Sequence, residues 1–274
     1  MEIKAVDVAK LRKMTGAGMM DCKNALVEAN GDFERAKEII REKGKLVAAK
    51  RADRDTTEGA VIAKTNDDNT IGILVCLGCE TDFVSNNADF KALANGIAEI
   101  ALETLPKDLE ALKAQTIGEH TIEEAVTEQT GKSGEKHDLA FYNKIEAPYI
   151  AKYIHMNSKL GTIVGFSKII DLEAGKDIAM QITAMNPVSI SKDDCPVSVV
   201  EKELDIYREQ VRGEGKPENM VEQIAKGKLN KFFKDQTLEE QTFVKDGKIS
   251  VAEYLKSVDP QVRVVMFHRF SLND

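Results

Sequence analysis

Two cysteines stand three residues apart in the segment CLGC, at Cys76 and Cys79. This C-x-x-C spacing could support thiol redox chemistry or supply half of the ligands of a structural zinc site. A zinc site would need a second such pair, which the remaining cysteines, Cys22 and Cys195, do not form. A redox site would open a helix, whereas Cys76 lies inside an apolar run typical of a strand. The pattern therefore favours reduced, packed cysteines, with a redox enzyme as the alternative.

The four histidines, at positions 120, 137, 155 and 268, show no metal-binding spacing such as H-E-x-x-H. The nucleophile motif G-x-S-x-G and the phosphate-binding motif G-x-x-x-x-G-K-[ST] are also missing from the sequence. The sequence therefore predicts no catalytic residue, no cofactor site and no metal site.

Phe83 lies in the segment CETDFVSNN, residues 79–87, among acidic and amide side chains. A single aromatic residue in such a polar turn usually folds back into the protein's own core. The alternative is that the ring is exposed and binds in the core of a partner. The local sequence leaves both interpretations open.

Composition and charge exclude several classes of protein. Of the 274 residues, 42% are hydrophobic and 31% are charged, which is enough apolar sequence for a globular core. The net charge of −8 lacks the basic excess that drives phosphate-backbone binding, so no direct nucleic-acid partner is predicted. No apolar run approaches the ~18 residues of a membrane span, and the N-terminus has no signal-peptide pattern. We therefore expect a cytoplasmic protein without a membrane partner.

The elements that would position these residues begin with three short amphipathic helices in residues 1–44. Turns at 15–18 (TGAG) and 30–32 (NGD) separate the helices, and Gly44 is expected to end the third. Met20 points away from the apolar stripe of the second helix, and Met19 lies at the margin of that stripe. They predict either exposed apolar surface or side chains that cover the edge of the module itself or the next domain. Residues 45–58 are predicted to be a linker, either extended or part helical.

An internal repeat dominates the rest of the chain. The segments IAKTNDDNTIGILV (62–75) and IAKYIHMNSKLGTIV (150–164) resemble each other, as do KALANGIAEI (91–100) and KDIAMQITAM (176–185). Each copy is typical of a β-hairpin followed by a helix, with turns at 66–69 and 157–158. This predicts an α+β fold with a duplicated core of antiparallel sheets and helices, in subdomains 59–146 and 147–274.

The second subdomain carries a predicted insertion. Apolar residues alternate spacings of three and four from 197 to 211, and a second apolar face follows the turn GEGKP. This pattern predicts an antiparallel helical hairpin at about 197–234. It would either pack on the core or project for dimerisation or partner contact.

Two motifs identify a family. The segments LRKMTGAGMMDCKNALVEANGD (11–32) and CETDFV (79–84) resemble elongation factor Ts, a bacterial family of nucleotide exchange factors for elongation factor Tu. The resemblance spans nearly the whole chain and includes VVEKELDIYREQVRGEGKP and FVKDGKISVAEYL. It implies a UBA-like three-helix module at the N-terminus, a duplicated core, and a protein that acts by binding rather than by chemistry.

The resemblance also implies which residues bind elongation factor Tu. Thr81, Asp82, Phe83 and Val84 would disturb the magnesium and phosphate side of the partner's nucleotide site, with Phe83 wedged between partner helices. His155 would join that interface. The N-terminal module would dock on the GTPase domain through Arg12, Met19 and Met20, and the segment around Phe243 and Val244 would face a second domain. The C-terminal subdomain or the hairpin is also a candidate contact for a homodimer.

Two positions depart from the family pattern. Gly78 stands where the family usually has Asn, and Ser133 in KSGEK replaces an apolar residue, so partner contacts from residues 130–140 stay open. A third class of function, RNA binding, would rest on the basic cluster Lys50, Arg51 and Arg54. Such clusters are more often solvated faces.

Overall fold

The computed structural model describes residues 3–156 and 158–273. They form a mixed α+β structure in which both three-stranded sheets are antiparallel, and this confirms the predicted fold class. The predicted turn residue Asn157 lies outside the described residues. Among the described residues, none of the helices combines the length and apolar character that a membrane span requires.

Three helices open the chain: α1 (Ala5–Thr15), α2 (Met19–Glu28) and α3 (Phe33–Lys50). Gly16 ends α1 in the left-handed conformation, at φ 71°. Asp32 caps α3 by accepting hydrogen bonds from the amides of Glu34 and Arg35. The helices close on a small apolar cluster of their own, formed by Val8, Leu11, Ala17, Cys22, Ala25, Leu26, Ala29 and Ala36.

The first sheet-and-helix unit follows. Its elements are β1 (Glu58–Thr65), β2 (Ile71–Cys79), α4 (Asp82–Ser85), α5 (Ala88–Thr104), α6 (Leu109–Lys113), β3 (Thr116–Ile117), β4 (His120–Thr121), α7 (Ile122–Ser133) and β5 (His137–Glu146). The strand order is β1-β2-β5. Buried residues of β2, α5 and α7 form one cluster that covers one face of this sheet.

The second unit repeats the hairpin and the helix. Its elements are β6 (Tyr149–Ile154), β7 (Leu160–Phe166), α8 (Leu172–Met185), α9 (Val197–Gly213), α10 (Glu218–Gln236), β8 (Thr242–Phe243), β9 (Asp246–Ser250), α11 (Val251–Val258) and β10 (Val264–Ser271). The strand order is β10-β7-β6, and α8 packs on this sheet as α5 packs on the first.

The free faces of the two sheets pack against each other. A shared cluster of Val61, Leu74, Cys76, Ile145, Ile150 and Ile163 fills the space between them. Because side chains alternate along a strand, the neighbours of Leu74 and Cys76 on β2 face the other way, towards α5. The strand is therefore apolar on both faces, which explains its unbroken hydrophobic run.

Gly44 does not end α3, so that prediction was wrong. The helix continues to Lys50, and Gly44 is buried where α3 crosses α7. A Cβ atom on Gly131 of α7 would lie only 2.6 Å from the Cα of Gly44. The glycine thus allows close approach of two helices, and Arg41 strengthens the same crossing with an ion pair to Glu128 at 3.1 Å.

Gly131→Ala is expected to force α3 and α7 apart, because its methyl group would overlap backbone atoms of α3. Overpacking of this kind costs about 1–3 kcal/mol, measured as the free energy of unfolding in denaturant. Gly44→Ala is the matched control, because its Cβ would lie 3.5 Å from the Cα of Gly131, an ordinary contact. Alanine also favours a helix interior over glycine by about 0.5–1 kcal/mol. Equal losses in the two variants would contradict this account of the crossing.

Helices α9 and α10 pack mainly on each other. Val211, Val221, Ala225 and Leu229 are buried between them, and none of these four belongs to the main apolar clusters of the described chain. Three ion pairs link the helices across the turn, namely Arg208–Glu222, Arg212–Glu218 and Lys228–Glu214. The pair is therefore stabilised largely from within.

Candidate functional site

The segment after β2 forms a single helical turn, α4, that divides its side chains between core and solvent. Ser85 is buried and Val84 packs partly against the apolar cluster under α5. Phe83 is 86% exposed, and Asp82 is also exposed. Of the two interpretations of Phe83, the structure therefore supports an exposed ring rather than a core residue.

Two carboxylates, those of Glu135 and Glu80, hold this turn against the segment that follows α7. Glu135 accepts hydrogen bonds from the amide of Thr81 at 3.1 Å and from its hydroxyl at 2.9 Å. Glu80 accepts from the amide of Lys136 at 2.6 Å and from the Arg51 guanidinium at 2.7 Å. Burial acts to raise the pKa of Glu80, but these two donors outweigh it, so the pKa is lowered and the carboxylate stays charged.

His155 and Met156 lie in the turn after β6. His155 is exposed, and its Nδ1 lies 3.4 Å from the Tyr153 hydroxyl. Met156 is 93% exposed. A groove of about 630 Å³ runs between this turn, the edge of β1 and α4, with Asp82, Asn86, Lys91, Met156 and Ser158 among its lining residues. The structure thus brings the turn of His155 and the α4 segment to one surface.

The predicted N-terminal residues lie on the three-helix unit. Arg12 is exposed on α1, and Met19 and Met20 begin α2 with exposed fractions of 44% and 64%. Within the described residues, no hydrogen bond or ion pair joins these three side chains to α4 or to the turn of His155. All three are exposed on the three-helix unit, whereas α4 and the turn of His155 belong to the sheet-and-helix units.

Val244 is exposed, whereas its neighbour Phe243 is not. Phe243 is buried and stacks on Tyr254, with ring centroids 4.0 Å apart, so of these two residues it is Val244 whose side chain is exposed. The amide of Val244 donates to Oε1 of Gln181 at 2.8 Å. The Tyr254 hydroxyl donates to Asp177 at 3.0 Å. Two polar residues of α8 therefore fix the loop that presents Val244.

Sequence reasoning missed these supporting residues. Asp177 and Gln181 are buried polar residues four positions apart in a helix whose other buried residues are mostly apolar. Buried polar groups need hydrogen-bond partners, so that spacing was a usable signal. Glu135 offered no comparable signal, because its partner Thr81 is 54 residues away.

The two cysteines of the C-x-x-C segment are not a redox pair in this structure. Both are buried, unpaired thiols, and they belong to different apolar clusters on opposite faces of β2. Burial raises the pKa of Cys79 to about 12 and raises that of Cys76 further. Both thiols therefore stay protonated at neutral pH and are poor nucleophiles. Within the described part of the chain, no group of three or more His, Cys, Asp or Glu residues could hold a metal ion.

Of the basic cluster at the end of α3, the Arg51 side chain is engaged within the protein. Arg51 pairs with Glu80, and the Nζ of Lys136 donates to the backbone carbonyls of Ala52 and Arg54. This segment therefore anchors the α4 region, and the Glu80 carboxylate neutralises the charge of the Arg51 guanidinium.

Comparison with known proteins gives the same family throughout. Residues 80–274 match the family model described as elongation factor TS. The chain is 51% identical over 273 residues to the protein named elongation factor Ts of Christiangramia forsetii, with 99% of each chain covered. It is 46% identical to that of Flavobacterium psychrophilum, with 98% of each covered. It is 44% identical to that of Porphyromonas gingivalis, with 100% of this chain and 99% of the relative covered. The chain therefore belongs to the elongation factor Ts family.

Proposed function

We propose that the protein is a guanine nucleotide exchange factor for elongation factor Tu in translation elongation. It would bind the GDP form of this partner, release GDP, and be displaced when GTP rebinds. The observation that carries the proposal is the 86% exposed ring of Phe83 on a turn that is fixed from behind. An exposed aromatic side chain on a rigid support is suited to insertion between elements of another protein.

The proposed mechanism is displacement without covalent chemistry. A GTPase holds its nucleotide through phosphate-loop amides and a bridging magnesium ion. Phe83 would wedge between partner helices, and Asp82 would press on polar contacts near the magnesium ion. Thr81 and Val84 support this turn from the side of the core. Shifting the magnesium and phosphate contacts weakens nucleotide binding and speeds release.

Linkage constrains what the factor can do to nucleotide binding. If the factor weakens nucleotide binding, nucleotide must weaken binding of the factor by the same free energy. The factor therefore raises release rates without favouring GDP or GTP. Burying one phenylalanine is worth roughly 2–3 kcal/mol, which is enough to compete with the nucleotide but not to lock the complex.

Three further surfaces are proposed as docking sites. The helices α1–α3 would form a UBA-like module that contacts the GTPase domain through Arg12, Met19 and Met20. His155 would contact the same domain beside α4, and Val244 would face a second domain. The sheet-and-helix units would be subdomains 59–146 and 147–274. We propose a cytoplasmic protein without a direct nucleic-acid partner, and the C-terminal subdomain or the hairpin as the surface for a homodimer.

Replacing residues 197–236 by a short loop is expected to leave the melting temperature of the core largely unchanged. The apolar residues buried in the hairpin contact each other rather than the main clusters, so their loss removes little core packing. Binding to elongation factor Tu or self-association should weaken, measured by titration calorimetry and sedimentation. A collapse of the thermal transition would show that α9 and α10 belong to the core.

The proposed function is tested by release of fluorescent GDP from the cognate elongation factor Tu. Adding catalytic amounts of the protein should accelerate release in proportion to its concentration, and excess unlabelled GTP should displace it from the complex. A release rate that is independent of the protein would overturn the proposal.

A further inference from the structure

The α4 turn is fixed by a reciprocal pair of long-range hydrogen bonds. The Glu135 carboxylate accepts from the amide of Thr81, and the Glu80 carboxylate accepts from the amide of Lys136. Two consecutive residues of one segment thus bond to two consecutive residues of the other, each through a carboxylate and an amide. Charge-assisted bonds of this kind are about twice as strong as neutral ones.

Thr81 occupies the N-cap position of α4 but does not cap it. A threonine at this position usually accepts a hydrogen bond from an amide in the first turn. Here its side chain makes no such bond and donates to Glu135 instead, at 2.9 Å. A helix of one turn cannot hold its own direction. The direction of α4 therefore depends on contacts with the rest of the protein, of which Glu135 supplies the bonds at its start.

The turn that carries Glu135 is itself ordered by local bonds and by a lysine that bonds to a distant segment. Ser133 Oγ accepts from the amide of Glu135 at 3.0 Å, and Gly134 takes a left-handed conformation at φ 75°. The Nζ of Lys136 donates to two backbone carbonyls of the segment after α3. Ser133, one of the two positions that depart from the family pattern, therefore shapes the turn that presents the Glu135 carboxylate.

We propose that Glu135 is a positioning residue for Phe83, acting through Thr81. The proposal rests on the proposed function, in which the Phe83 ring is the element that displaces partner structure. A ring on a loose turn would rotate away when it meets the partner, since that costs less than moving the partner's helices. A fixed turn prevents this rotation, so the binding free energy is available to shift the partner's nucleotide site.

Glu135→Ala is expected to lower the GDP-release rate at saturating factor by about tenfold, the effect of losing a charge-assisted hydrogen bond. The concentration that gives half of the maximal rate should change little, because the proposed docking residues Arg12, Met19 and Val244 are untouched. Thr81→Val removes the hydroxyl but keeps the branched shape, and it should lower the maximal rate in the same way. Thr81→Ser restores the hydroxyl and should restore the rate. Glu123→Ala, an exposed glutamate at the start of α7, is the matched control and should change nothing.

A double-mutant cycle separates positioning from a general structural role. In the Phe83→Ala background, Glu135→Ala should have no further effect, because no ring remains to be positioned. A tenfold loss that persists without the ring would overturn the proposal, as would a parallel fall in Tm for Glu135→Ala and Thr81→Val. A normal maximal rate for Glu135→Ala beside a defective Phe83→Ala would overturn the positioning role alone. A normal rate for Phe83→Ala would overturn the wedge mechanism itself.

Discussion

Phe83→Ala is expected to lower the exchange rate by roughly 30- to 150-fold, equivalent to about 2–3 kcal/mol of lost burial in the complex. The melting temperature should barely change. The measurement pairs stopped-flow release of fluorescent GDP with a thermal denaturation of the free variant.

The physical reason lies in how α4 is held. Phe83 is almost fully exposed, so truncating its ring removes no packing from the free protein. The turn keeps its bonds from Thr81 to Glu135 and its inward contacts through Val84 and Ser85. The ring therefore contributes only where a partner covers it.

Phe90→Ala is the matched control for this prediction. Phe90 lies seven residues further along the chain, on α5, and is completely buried in the cluster beneath that helix. Its truncation should cost about 3–5 kcal/mol of folding stability, with any exchange defect following from unfolding. If Phe83→Ala instead lost stability like Phe90→Ala, the ring would be a core residue. An unimpaired exchange rate in a stable Phe83→Ala variant would remove the α4 turn from the mechanism.

The general fold could be predicted because its signals are local. Hairpin turns, alternating apolar residues and helix stripes recur in both halves of the chain within short windows. The burial of Phe83 could not be predicted from local signals, because an aromatic residue in a polar turn fits either a core or an exposed site. The same limit applies at position 243, where the neighbouring Val244 is exposed but Phe243 is buried by stacking on Tyr254.

One wrong prediction and one missed contact both arise from interactions between distant segments. Gly44 has the residue type of a helix terminator, but α7 packs across it and the helix continues. The bond between Thr81 and Glu135 joins residues on different elements, and neither side chain is unusual in its own segment. Local propensity therefore predicts the elements, whereas the support of the candidate site depends on how they pack.

A variant that lacks residues 1–49 is expected to fold but to bind elongation factor Tu at least about 100-fold more weakly, since burying two methionines is worth about 3 kcal/mol or more. The truncation keeps Arg51, so the ion pair with Glu80 near α4 is preserved. The truncation removes the packing of α3 on α7 at Gly44 and Gly131, so the melting temperature should fall. The apolar cluster of α1–α3 is nevertheless separate from the cluster beneath α7, which stays intact, so the remaining core should still fold. Circular dichroism melting and titration calorimetry measure the two effects.

The kinetics of the same variant distinguish docking from displacement. Because α4 and Phe83 are intact, the maximal GDP-release rate should be largely retained, and the loss should lie in the concentration needed to reach it. The double variant Met19→Ala, Met20→Ala should reproduce much of this loss, whereas Leu46→Ala, an equally exposed residue on the far half of α3, should not. Unchanged affinity after truncation would exclude Arg12, Met19 and Met20 from the docking surface. A fall in the maximal rate alone would instead place the N-terminal helices in the displacement step, since a pure docking contact acts on affinity.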